Sequence, residues 1–448
     1  MSSFAEESSS CNEASAVQSY PDDRTGSSSN LLRVTILGEE WGSSKGGLLT
    51  MNRELAIQLA KHPNMEITMY LPKCSEMDKS DASDYHVQLI EAEKLPGYDP
   101  IDWLAVAPEK HAIDFIIGYG VRLGRQISVI KKHCACGWIQ VVHTAPEEVD
   151  KYETNANAIS KGKKMYQEEL ELCKRADQVL AVGPKLAEAY RRYLCSSQKD
   201  QAVLDITPSI FSRYSQVKQV SEDRITFGIL MFGHGHSEDF CLKGCDIAVQ
   251  AVTRLEELSY HLTFVGAPAG KENEVTEELK KCGISPRQLT VRCFNESREF
   301  LAGLFCEMDL VIMPSRGEGF GFSALEAMSG SLPILVSRNS GFGEALRQVP
   351  FGSSFVVDSE DPDKWAEKIK AIRMKKRSLR LEEARELKTF YANKFSWKKL
   401  CDSLYEAMCT IMSRGNRKRK QPESSRSELL NKGKELLGIT QKKERKAQ

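Results

Sequence analysis

The sequence predicts an α/β protein built of two doubly wound domains that face each other across a cleft. Three observations support this. Short apolar runs alternate with helical patterns twice over, first from Leu32 to Leu194 and again from Ile225 to Arg373, which is the signature of parallel sheets with crossover helices. A polar stretch without apolar periodicity, from Phe211 to Arg224, separates the two series. At 448 residues the chain also exceeds what one hydrophobic core supports. The expected divisions are an N-terminal tail at 1–30, a first domain at 31–212, a second at 213–384, terminal helices at 385–412 and a basic tail at 413–448.

Composition narrows the class. Residues 1–30 are Ser-rich and polar and cannot bury enough surface to fold. The 62 basic and 62 acidic residues balance, which removes the whole-protein case for nucleic acid or membrane. Residues 411–448 hold twelve Lys and Arg against four Glu, a net of +8; the run Arg417 to Lys420 reads as a solvated basic tail. No apolar run reaches the length of a membrane span and the N-terminus has no h-region, so a cytoplasmic location is expected. Thirteen scattered cysteines, among them Cys173, Cys282, Cys306 and Cys409 in apolar runs, read as reduced core residues. His133 with Cys134 and Cys136, and His234 with His236, Cys241 and Cys245, match no standard zinc spacing, so no metal site is expected.

In chain order, the first series has strand-like runs at Leu32–Leu37, Ile67–Leu71, His86–Ile90, Ile113–Ile117, Trp138–Val142 and Gln178–Val182. The loop Gly38–Gly47 opens a helix carrying Leu48, Met51, Leu55 and Leu59 on one face, and further helices are read at Leu123–Lys132 and Pro184–Leu194. A G-x-G-x-x-G spacing is absent from that first loop, which argues against a dinucleotide cofactor. The second series has strands at Ile225–Phe232, His261–Val265, Leu289–Phe294, Leu310–Met313, Leu332–Val336 and Phe355–Val357. Its helices are read at Lys243–Leu258 and Arg298–Met308, followed by Pro362–Arg373, Ser378–Asn393 and Trp397–Met412, with a short amphipathic piece at Leu429–Ile439.

The chemistry concentrates in Leu310–Ser337, a strand, a glycine-rich turn, a short helix and a strand. Glu318 and Glu326 bracket Gly319, Phe320, Gly321, Phe322, Ser323, Ala324 and Leu325. Glycines let the backbone approach a ligand, and the free N–H groups of a helix start, with Ser323 as N-cap, form an anion site that suits a diphosphate. Glu326 would accept from vicinal hydroxyls, and Glu318 sits where a second polyol would be held. On the glycines alone, a turn with two solvated glutamates is the preferred reading, because short glycine motifs match often by chance.

The spacing of Glu318 and Glu326, followed by Ala327, Met328 and a Pro-led strand at Pro333, resembles the donor-site signature of retaining GT-B glycosyltransferases of family 4, the "glycosyl transferases group 1". The resemblance runs over about residues 31–410 and is strongest from Phe294 to Asp358. It implies two Rossmann-like domains, with the first facing the acceptor and the second binding a nucleoside-diphosphate sugar, and terminal helices that cross back to the first domain. It implies roles for Gly46 and Gly47 beside the donor phosphates, for His143 near the transferred sugar, and for Lys243 on the departing diphosphate. Gly341 and Glu344 resemble the family's later glycine-rich turn, with Gly343 where Pro is usual.

Two positions depart from the pattern. His234 stands where the family has Arg, and a neutral imidazole is a weaker phosphate partner than a guanidinium. Ser331 stands where Gly is common. The expected activity is transfer of a hexose-type sugar from a nucleotide sugar with retention, without metal or bound cofactor. A weakly active nucleotide-sugar sensor and a nucleotide-sugar epimerase stay open as alternatives.

Overall fold

The computed structural model describes residues 31–42, 47–144, 156–195, 203–233, 237–293, 295 and 297–420. Among these residues two parallel sheets form. The first holds β1 (Leu32–Leu37), β2 (Met65–Leu71), β3 (Val87–Glu91), β4 (Phe115–Tyr119), β5 (Gly137–Val142), β6 (Gln178–Ala181) and β7 (Val203–Asp205), in the order β3-β2-β1-β4-β5-β6-β7. The second holds β8 (Phe227–Phe232), β9 (Tyr260–Ala267), β10 (Leu289–Cys293), β11 (Leu310–Met313), β12 (Ile334–Ser337) and β13 (Val356–Val357), in the order β10-β9-β8-β11-β12-β13. In each, the strand that starts the series lies between the second and the fourth, so the winding direction reverses beside it. Ligands in such sheets bind outside the carboxyl ends of the strands at that reversal.

The first sheet is covered by α1 (Gly47–Ala60), α2 (Glu76–Ser83), α3 (Gly120–Ile130), α4 (Ala156–Arg175) and α5 (Pro184–Leu194). The second carries α6 (Ser237–Leu242), α7 (Cys245–Arg254), α8 (Glu272–Lys281), α9 (Arg298–Glu307), α10 (Phe322–Ser329), α11 (Gly341–Leu346) and α12 (Pro362–Arg373). Two long helices, α13 (Arg377–Lys394) and α14 (Trp397–Lys420), end the described chain. Helices on both faces explain why β4 and β11 are apolar and buried at every position.

Several sequence expectations need correction. Besides Met51, Leu55 and Leu59, α1 buries Thr50, Asn52, Arg53, Glu54 and Gln58, because it lies between its own sheet, α10 and α14. Its polar groups are only partly satisfied: Asn52 donates to the Leu37 carbonyl at 3.1 Å and Arg53 to Asp81 at 2.6 Å, while Asn52 Oδ1 and Arg53 Nε are buried without a hydrogen-bond partner among the described residues. The helix expected over Lys243–Leu258 is shorter, and Glu256 just beyond it takes a left-handed φ of 55°. Periodicity gave no sign of α2, a polar helix with only Ala82 buried, held by a Ser75–Asp78 capping box. Cys173 is buried, whereas Cys282, Cys306 and Cys409 are half-buried at the core's edge.

The terminal helices do pack back on the first domain. Tyr391 donates to the Pro208 carbonyl at 2.8 Å and the Trp397 indole to Ile210 at 3.0 Å. Tyr405 lies 4.4 Å from the ring of His62, just past α1. Buried Leu404 and Met408 form the apolar face of α14, which continues to Lys420 rather than losing its helix near Arg414. The piece at Leu429–Ile439 lies outside the described residues.

Candidate functional site

The carboxyl ends of β5 and β6 meet the loop after β11. That loop leaves a buried strand, turns through Glu318–Gly321 and enters α10. Gly321 closes the turn with a left-handed φ of 106°, which a side chain rarely adopts; a Cβ there would also sit 2.5 Å from the Met313 methyl. Gly321, not Ser323, is the N-cap, and no side chain caps the helix. Ser323 is the second helical residue. The first N–H groups of α10 are thus left without a capping side chain, an arrangement that favours an anion.

The loop after β12 clamps this turn. Glu318 pairs with Ser340 through a backbone bridge, and Phe342 donates its N–H to the Phe320 carbonyl at 2.7 Å. Ser340 caps α11 by accepting from Gly343 at 2.9 Å, and Glu344 is engaged by Arg347 at 3.0 Å. The Phe320 ring is buried 5.2 Å from Phe322 and 5.8 Å from Phe342, against Gly183 of the first domain. Its side chain is therefore an interdomain wedge and not an open ligand contact. Ser331 takes a left-handed φ of 58°, which accounts physically for glycine as the commoner residue there.

Four of the expected residues converge. Lys243, between α6 and α7, donates to Glu318 at 2.6 Å, and Ser315 donates to the same carboxylate at 3.4 Å. Beside them, the α-carbon of Gly319 rests against the His143 carbonyl so closely that a Cβ would overlap it. Gly47 approaches Phe322 in the same way, a Cβ there falling 2.5 Å from the Phe322 Cβ. Lys185 of α5 donates to the Asn339 carbonyl across the same boundary. The two domains are closed on each other at this loop. Gly46 and His234 lie outside the described residues.

Glu326 stands apart from this cluster. It is buried on α10, and its carboxylate receives Arg213, whose guanidinium is also 3.5 Å from the Thr50 hydroxyl of α1. Burial pushes the Glu326 carboxyl above its ordinary range, and Arg213 pulls it back. Arg213 was not anticipated: it sits in the stretch that reads as a polar linker, and only its aromatic flanks, Phe211 and Tyr214, marked it out.

Behind His143 lies a second group absent from the sequence reading. Burial lowers His143 to about 4, so the imidazole is neutral, and its Nδ1 has no hydrogen-bond partner among the described residues. A Cβ on Gly120 would be 3.0 Å from His143 Cε1 and 3.7 Å from Glu169 Oε1, so both side chains border one small space. Glu169 accepts from the Tyr190 hydroxyl at 2.6 Å, and burial raises it to about 7. These two groups act oppositely on stability. The folded state holds the Glu169 proton between roughly pH 4.5 and 7 while the unfolded state does not, so this term falls as pH rises. The unfolded state holds the His143 proton between about 4 and 6.5, so that term is lost as pH falls. Urea unfolding against pH is expected to show the slopes separately: Glu169→Gln leaves a stability that climbs towards pH 6.5, and His143→Gln one that declines towards pH 7. Parallel profiles in both variants would contradict the burial of these groups.

Among the described residues no group of three His, Cys, Asp or Glu is arranged to hold a metal ion, and no helix is long and apolar enough to cross a membrane. A family model described as "Family 4 Glycosyltransferase in conflict systems" matches residues 35–404. Among curated proteins the chain is similar to the D-inositol 3-phosphate glycosyltransferase of Geodermatophilus obscurus, 30% identical over 176 residues and 37% of either chain. It is also similar to the protein of that name from Corynebacterium jeikeium, 27% identical over 187 residues, 40% of this chain and 44% of that one. The matches thus span less than half the length of these relatives. Among solved structures, the sucrose-phosphate synthase of Thermosynechococcus elongatus matches with a TM-score of 0.66 at 17% identity, over 86% of this chain and all of that one. HepE of Anabaena in complex with UDP-glucose matches at 0.60 and 16%, over 85% and 100%. Those identities speak to the fold, which is GT-B, and the family match extends through both parallel sheets. The chain belongs to the family 4 glycosyltransferases, in the group described from conflict systems.

Proposed function

We propose that this protein transfers a hexose-type sugar from a nucleoside-diphosphate donor to an acceptor, with retention of configuration and without a metal ion. The observation that carries this reading is the Lys243–Glu318 pair beside the uncapped start of α10, with Gly319 held against His143. A diphosphate placed at the first N–H groups of α10 competes with Glu318 for the Lys243 ammonium. It then takes that cation, which stabilises the charge on the leaving group, and Glu318 becomes available to sugar hydroxyls. Glu326 receives the ribose hydroxyls. Neutral His143 lies at the face where the sugar would react. In this reading no side chain attacks the sugar: the departing diphosphate accepts the acceptor's proton on the same face, and the protein supplies position and electrostatics. The solved HepE complexes with UDP, glucose and UDP-glucose make uridine the base to try first.

The test is calorimetry with UDP, followed by transfer assays over a panel of nucleotide sugars in EDTA. Glu326→Gln and Lys243→Ala are each expected to weaken UDP by about 1.5–3 kcal/mol, the range for hydrogen bonds to charged groups, with melting curves that show both variants folded at the assay temperature. Unaltered affinity in both variants would remove the donor site from this cleft. Activity lost in EDTA and restored by magnesium would overturn metal independence.

A further inference from the structure

Arg213 has no counterpart in the roles assigned above, yet it is the charged group nearest the carboxylate proposed for ribose. It sits in a 3-10 turn, Ser212–Tyr214, between the last strand of the first sheet and the first strand of the second. Its guanidinium lies 5.3 Å from the Phe211 ring and 4.8 Å from that of Tyr214, donates to Glu326, and reaches within 3.5 Å of Thr50 on α1. Its Nε is buried without a partner among the described residues. One side chain thus joins three separate parts of the chain: the turn between the sheets, the donor helix α10 and the first helix of the opposite domain.

We propose that Arg213 is a positioning residue for the donor, holding the Glu326 carboxylate ionised and aimed for the ribose hydroxyls when the two domains are closed. The inference rests on the donor-site reading of Glu326. An ionised carboxylate offers about four acceptor positions, so one bond from Arg213 leaves room for two hydroxyls. A buried carboxylate without a cation takes up a proton, and a protonated carboxyl loses part of its acceptor capacity. Among the described residues, Arg213 is the cation that acts on Glu326. On α1, Arg53 is bonded to Asp81 at 2.6 Å and Glu54 to Gln58 at 2.6 Å. On α13, Lys388 donates to the Ser329 carbonyl at 2.6 Å, and on α11 Glu344 is held by Arg347. β11 and β12, which flank α10, carry no ionisable residue. The nearby hydroxyls of Tyr214 and Thr50 add a smaller stabilisation of the ionised form.

The experiment compares UDP with inorganic pyrophosphate, which has the phosphates but no ribose. Binding of each is measured by calorimetry from pH 5.5 to 8.5 for the full chain, Arg213→Met, Arg213→Lys and Glu326→Gln, with melting curves as a check on folding. Arg213→Met is expected to weaken UDP about tenfold or more near neutral pH, to recover affinity as pH rises, and to bind pyrophosphate as the parent does. The sign follows because loss of the cation moves the Glu326 titration to higher pH, so the carboxylate form appears later on the pH axis. Arg213→Lys keeps a cation and is expected to keep the parent's pH profile, and it carries the test if the Met variant does not fold. UDP affinity and pH profile in Arg213→Met equal to the parent's would make Arg213 an interdomain strut. Tighter UDP binding would make it a competitor of ribose, and either result overturns the proposal. If Glu326→Gln binds UDP like the parent, the donor-site reading itself fails; if Glu326→Gln weakens UDP and Arg213→Met does not, only the role of Arg213 fails.

Discussion

Gly319→Ala is expected to cut sugar transfer by at least about a hundredfold while UDP binding by the folded protein changes far less. The α-carbon of Gly319 touches the His143 carbonyl across the cleft, and a methyl group there overlaps that oxygen. The obstacle is backbone and cannot rotate away. Either the loop after β11 shifts or the domains part, and both displace Glu318 from the first domain. A displacement of about 1 Å in a reacting geometry costs on the order of 10² in rate. Donor binding is less affected, because Lys243 and α10 both belong to the second domain. Gly303→Ala supplies the control. It lies within α9, where an added Cβ meets nothing within 4 Å, so it should gain up to about 1 kcal/mol of helix stability and keep full activity. Steady-state kinetics and calorimetry on the two variants decide the matter: a Gly319→Ala protein with parental turnover would mean that this closed contact is not the reactive arrangement.

The strands were legible in the sequence because a parallel sheet covered on both faces demands unbroken apolar runs. Leu32–Leu37 and Leu310–Met313 are found where the pattern places them. Elements whose stability is local and polar were not legible. The helix α2 depends on its Ser75 cap and has no apolar stripe to read. Within the site, Glu318 and Gly319 could be named from one motif, Lys243 and His143 from the family resemblance that it carries, and the fold brings the four together. Ser323 was misread as a cap because capping preference is a local rule, whereas Gly321 is required by the close packing of Met313. Arg213 and Glu169 escaped for another reason. Their significance lies in partners 113 and 21 residues away, and no spacing rule reports a contact at such separations.

The largest loss of stability is expected from Asp309→Ala. Asp309 is 1% exposed at the start of β11, ion-paired with Arg377, and accepts the Gly228 N–H at 2.9 Å. Arg377 is equally buried and also donates to the Val220 carbonyl at 2.6 Å and to Met308 at 3.2 Å. Arg380, 5% exposed, lies 3.7 Å from the same carboxylate, with its guanidinium 4.8 Å from the Phe227 ring. Removing Asp309 strands two buried cations and an amide, and breaking a buried pair in this way costs about 3–5 kcal/mol. For a domain of this size that corresponds to a melting shift of roughly 10 °C. Replacing all three charges together removes the desolvation penalty along with the attraction. Asp309→Leu combined with Arg377→Met and Arg380→Leu should therefore be far less damaging than Asp309→Ala alone. Differential scanning of the single and triple variants separates the two cases, since additive losses would show that the charges act independently rather than as one cluster. The consequence reaches function through geometry. β11 delivers Glu318 to the cleft, and Arg377 ties that strand to Gln219 and Val220, a few residues beyond Arg213. A second domain loosened at Asp309 would present both proposed donor carboxylates, Glu318 and Glu326, on a disordered support, so UDP binding in Asp309→Ala should disappear in step with the folded fraction.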